Sequence, residues 1–198
     1  MTALDTTAVR ERPAGTGDAD RSDRSDRSAE AAQAAPSSAQ SFRDAMAQLA
    51  APVSVITALD PDGRRRGFTA SSVSSVSLDP PLILAGVALT SSCHATLTTT
   101  PEFVVNVLGA QHRDLARRFA TQDVDRFAGG GFDAWEGSGT PYLPDAALLM
   151  RCRTARIVRA GDHDLVLATP VEFRHGTADI APLLWYRRGF HTARPHGA

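Results

Sequence analysis

Short strand-forming runs stand in pairs about tight turns along this chain, and that pairing limits its architecture more than any other feature. VSVITAL, Val53 to Leu59, alternates and is rich in β-branched residues. Asp60-Pro61-Asp62-Gly63 turns the chain back into the run GFTASSVSSVSL, which Asp79-Pro80-Pro81 ends. A buried strand follows from Leu82 to Leu89, and a fourth from Glu102 to Leu108. Ala147 to Val158 and Leu165 to Phe173 form long strands around Gly161-Asp162-His163, with a short last strand from Leu183 to Tyr186. Helical patterns are few and brief. Phe42, Ala45, Met46 and Leu49 share one face behind a Ser41 cap; a second helix spans about Ser92 to Thr98; a third, Gln111 to Ala120, carries Leu115, Ala116 and Phe119 on one side. Strands joined as hairpins rather than as βαβ units predict a mainly β fold with short helices, a barrel or a sandwich.

The rest of the composition narrows the chemistry. Residues 1 to 38 contain DRS three times in succession and almost no large apolar side chains, so they read as a disordered tail ahead of one folded domain, 39 to 198. A formal net charge of −1 gives no reason to expect capture of nucleic acid or of an anionic membrane. All 21 basic residues are arginine, so a side-chain cation that meets a phosphate is arginine or histidine, and no lysine forms a Schiff base. Cys93 and Cys152 stand outside any CxxC pair, which predicts two buried free thiols, no disulfide and no metal cage. No apolar run is long enough to span a bilayer and the N-terminus lacks a signal-peptide core, so the expected location is the cytoplasm. The histidines have no ligand spacing, and neither a G-x-G-x-x-G nor a G-x-x-x-x-G-K motif is present.

One segment does point to a ligand. Six hydroxyl side chains fall in the nine residues from Thr69 to Ser77, interrupted only by Val73, Val76 and the small Ala70. A strand edge of this kind offers small donors and little bulk. It suits a flat, polar-edged molecule with a phosphate tail, or it is simply a solvated edge.

In order along the chain, FRDAMAQLAAPVSVITA, GFTASSVSSVSLDPPLIL, SSCHATL, FVVNVL, LARRFA, GDHDLVLATPV and PLLWYRRG resemble the short-chain flavin reductases, the small component of two-component flavin-dependent monooxygenases. The match runs from Phe42 to about His191. The resemblance implies an FMN-binding split β-barrel with Greek-key-like connections, a homodimer, FMN or FAD as acceptor, NADH or NADPH as hydride donor, and a separate oxygenase that receives reduced flavin. Two other readings of the same fold are a flavin-binding protein without turnover and a flavoenzyme acting directly on a small organic substrate.

The resemblance also implies roles for residues. Thr69, Ala70, Ser71 and Ser72 match the flavin-contacting strand. Ser91, Ser92 and His94 match the segment at the flavin phosphate, with Cys93 a departure where a polar residue is expected; Ser91 or Ser92 would also open the helix. Asn106 either meets the flavin edge or ties two strands together. Arg117 and Arg118 lie near the phosphate or the dimer contact, or on an exposed helix face. His163 of GDH faces the nicotinamide as the catalytic-site residue, while Asp162 orders the turn. Trp185 is expected in the core, and Tyr186 is a candidate flavin contact.

Overall fold

The computed structural model describes residues 38–176 and 180–193, so the expected tail lies, but for Ser38, outside the described residues. Along the chain run α1 (Ala39–Met46), β1 (Ala51–Pro52), β2 (Ser54–Leu59), β3 (Arg65–Ala70), β4 (Ser74–Leu78), β5 (Pro81–Ala88), α2 (His94–Thr99), β6 (Glu102–Val107), a 3₁₀ turn (Ala110–His112), α3 (Arg113–Ala120), β7 (Asp133–Ala134), β8 (Pro141–Tyr142), β9 (Leu148–Ala160), β10 (His163–His175), β11 (Leu183–Tyr186) and β12 (Gly189–Thr192).

Seven strands form one antiparallel sheet in the order β3-β2-β6-β9-β10-β5-β4. β3 and β4 therefore hold its opposite edges, yet only residues 71–73 connect them. The four backbone steps from Ala70 to Ser74 span at most about 15 Å. A flat sheet of this width would set its outer strands roughly 29 Å apart. The sheet must curl until its edges approach, which makes it the expected split barrel. The Ser/Thr-rich run was expected as one strand; it is two, broken at Ser71–Val73 where the chain crosses the seam. β4 pairs with β5 only as far as Leu84, so beyond that point the edge of β5 faces the seam without a strand partner.

Alternation divides the core. Ile56, Phe103, Val105, Met150 and Val166 fill the barrel interior. The intervening Val55, Val104 and Leu149 face outward, where Ala116 and Phe119 of α3, Phe127 and Trp135 cover them. Cys93 and Cys152 are buried free thiols, and burial first, then the charge of Glu102, pushes the Cys152 thiol up to about 12. A second, smaller sheet orders β1-β11-β12. Its β11–β12 turn places Arg187 and Arg188 in the left-handed region, at φ 47° and 61°. The apolar face expected on α1 is left largely exposed: Phe42, Met46 and Leu49 are 57%, 41% and 60% exposed. Among the described residues no helix is long and apolar enough to cross a membrane.

Candidate functional site

A cleft of about 350 Å³ opens at the barrel seam, between the end of β3, the crossing at 71–72, β5 with the Thr90–Ser92 loop, and α3. Two glycines set the packing around it. A Cβ on Gly67 would stand 2.8 Å from the Phe119 ring, so glycine lets α3 lie directly on β3. Gly86 leaves room for Ser72, whose hydroxyl accepts from the Gly86 N–H at 3.1 Å and donates to its carbonyl at 3.2 Å. Those bonds take the place of a missing strand partner at the seam.

The four residues expected on the flavin strand all line this cleft, but their side chains are not equivalent. The Thr69 hydroxyl donates to the Ala116 carbonyl at 2.6 Å and anchors α3. Ala70 turns its side chain into the barrel core. Ser72 is committed to Gly86. Ser71 is exposed, and its hydroxyl has no partner among the described residues, so it is the one left for a ligand.

Ser91 and Ser92 line the cleft together with Arg126. Neither serine caps α2 as expected. Cys93 holds the N-cap position without a side-chain bond, and the Ser91 hydroxyl instead accepts from the Cys93 N–H at 3.2 Å. Arg126 is a residue that sequence reasoning missed. Its Nη1 donates to the Gly67 carbonyl at 2.8 Å and to the Ser92 hydroxyl at 3.3 Å, and its Nε and Nη2 both reach the Thr121 carbonyl. The Cys93 thiol, 3.3 Å from Nη1, also donates to the Gly67 carbonyl at 3.2 Å. A cation is thus held beside two serines by carbonyls rather than by a carboxylate.

His163 lines the same cleft from the β9–β10 turn. Its Nδ1 lies 2.8 Å from an Asp162 carboxylate oxygen. That hydrogen bond, and next the imidazole charge, hold the Asp162 carboxyl below the usual range. An ionised carboxylate can only accept, so Nδ1 carries the proton toward Asp162, and in the neutral tautomer of that ring Nε2 is an acceptor.

Four expected site residues lie elsewhere. His94 turns away from the phosphate end: its Nε2 meets Asp164 at 2.7 Å, and Arg159 Nε donates to the other oxygen of that carboxylate at 2.7 Å. The His94 bond, against the opposing effect of burial and with help from Arg159, holds Asp164 below the usual carboxylate range. Asn106 is wholly buried. Its amide donates to the Val55 carbonyl at 2.8 Å and to Thr57 Oγ1 at 3.1 Å and accepts from the Leu143 N–H at 2.7 Å, so it ties strands and has nothing to offer a flavin. Arg118 donates to the Ala128 carbonyl, at the start of a glycine-rich loop over residues 129–139. Tyr186 packs edge-on against His191 and under Arg187.

A second cleft, about 690 Å³, adjoins the first through Thr69, Ser71 and Ala120. Arg113, Arg117, Arg188, Trp185 and Phe190 line it. Trp185, expected in the core, packs half-buried against the outer core cluster and beside Phe190, and its other side is a wall of this cleft.

Comparison with known proteins gives the family and the fold. The family model described as the flavin reductase like domain matches residues 46–194. An NADH:riboflavin 5'-phosphate oxidoreductase of Streptomyces pristinaespiralis is 64% identical over 156 residues, 79% of this chain and 89% of that protein. Among solved structures, the NADH:FAD oxidoreductase SgcE6 of Streptomyces globisporus, in complex with NAD and FAD fragments, superposes with a TM-score of 0.76 at 30% identity, covering 83% of this chain and 98% of its own. The styrene monooxygenase flavin reductase of Pseudomonas putida S12 gives 0.70 at 27% identity over 78% and 97%.

Proposed function

This chain belongs to the flavin reductase like domain family, and we infer from it an NAD(P)H:flavin oxidoreductase that takes FMN or FAD as acceptor and supplies reduced flavin to a separate oxygenase. One observation carries the reading: Thr69–Ser72, Ser91–Ser92 and His163, far apart in sequence, meet around one cleft at the barrel seam. The donor set fits a flavin. A carbonyl-held arginine and two serines stand at one end for a phosphate, a free hydroxyl at Ser71 stands for a polar ring edge, and Phe68 and Phe119 supply apolar surface.

Bound flavin would supply the ring system that accepts hydride from the nicotinamide. The chain's own residues then bind, orient and polarise. Ser92 and Arg126 hold the phosphate. Ser71 donates to the ring edge, where a fixed donor counts for more as negative charge develops. His163 places the nicotinamide: with its proton on Nδ1 toward Asp162, Nε2 accepts from the carboxamide N–H. Most of the acceleration comes from holding two rings in register, since neither hydride loss nor gain needs a protein acid or base.

A homodimer is part of the same reading. The exposed apolar face of Phe42, Met46 and Leu49 on and after α1 supports it, because a second copy would remove that surface from water. Flavin-dependent NADH consumption by the purified protein tests the function as a whole.

A further inference from the structure

The second cleft is lined by three arginines and by no carboxylate. Arg113 and Arg117 are one turn apart on α3, and both guanidinium groups converge on the Phe190 ring, at 6.0 and 5.7 Å from its centroid. Like charges at this spacing repel, so their convergence is a cost the free protein bears. Arg188 joins them from the β11–β12 turn, from a left-handed backbone position at φ 61° that an arginine adopts only under constraint. Partial compensation comes from outside the cleft: Arg117 has Asp114 at 3.4 Å, and Arg188 has Asp44. Arg113 has no ion-pair partner among the described residues. Phe190 packs edge-on against Trp185, giving the cleft an aromatic wall beneath its cations.

We propose that the Arg113–Arg117–Arg188 cleft binds the diphosphate and adenosine half of the nicotinamide dinucleotide. Three cations over an aromatic wall suit phosphates joined to a flat base. Its position selects the nicotinamide partner over the adenylate of FAD. The cleft joins the flavin site through Thr69, Ser71 and Ala120, and shares none of Ser91, Ser92 or Arg126, the residues at the phosphate end. A molecule whose nicotinamide lies on the flavin ring can therefore extend past Ser71 into it. This assignment rests on the reductase reading above and adds to it the residues that hold the donor.

The test uses ADP-ribose, the dinucleotide without its nicotinamide, and the full-length protein. In calorimetry with FMN present, ADP-ribose should bind the wild type, and in turnover it should compete with NADH and not with FMN. Changing Arg113→Gln together with Arg117→Gln should weaken ADP-ribose and raise KM for NADH on the order of tenfold, with FMN affinity held within about twofold. Failure of ADP-ribose to bind the wild type overturns the proposal, whatever the variants do. So does a variant that loses FAD affinity while ADP-ribose binding is unchanged, which would give the cleft to the flavin. Arginine-dependent ADP-ribose binding by a protein that never oxidises NADH would uphold the site and remove the reductase reading instead.

Discussion

His163 and Arg126 both line the seam cleft and divide its work between donor and flavin. His163→Ala should raise KM for the nicotinamide substrate more than KM for flavin, because the lost acceptor faces the donor ring; steady-state kinetics with each substrate varied in turn reads this, and a change confined to the flavin constant would contradict it. Arg126→Ala should do the reverse. Losing a charge-assisted bond to phosphate costs about 1.5–3 kcal/mol, so flavin Kd, read from quenching of flavin fluorescence, should rise at least tenfold with little change for NADH. Residue identity alone did not separate these roles from others. Thr69 and Ser72 looked as available as Ser71, and only the fold shows their hydroxyls spent on Ala116 and Gly86. Asn106 carried two readings, and burial among Val55, Thr57 and Leu143 leaves it the strand tie. Arg126 gave no signal at all, since its partners Gly67 and Ser92 are 59 and 34 residues away.

At the scale of elements, His94, Asp164 and Arg159 connect the start of α2 to the turn end of the hairpin that carries His163. Asp164 has a lowered carboxyl pKa in the folded state, with the His94 bond as the leading cause. Its contribution is therefore complete above the ordinary carboxylate value, about 3.9, and is lost as pH falls through the lower folded value. Thermal unfolding across pH should show Asp164→Asn clearly less stable than wild type near neutrality and the gap closing in acid; a gap that widens in acid would contradict the sign. Hairpin turns, strand alternation and strand ends were legible because they are local: Asp60 to Gly63 and Gly161 to His163 turn the chain where the residues say they should. The break at Ser71–Val73 was not, because the serine-valine pattern runs on through it. What forces the break is the connection between opposite sheet edges, a property of strand order that no local window contains.

For the whole molecule, the exposed face of Phe42, Met46 and Leu49 carries the dimer expectation. Sedimentation equilibrium should give a dimer, and Phe42→Glu with Met46→Glu should shift it to monomer with the barrel still folded by circular dichroism; a wild type that is monomeric throughout would contradict it. The most direct test of reductase activity is NADH consumption by purified protein with and without added FMN, with the protein's own visible spectrum recorded first. Oxidation should depend on flavin, either added or already bound and visible. A well-folded protein that binds flavin yet oxidises neither NADH nor NADPH would contradict it and leave a flavin-binding barrel without turnover.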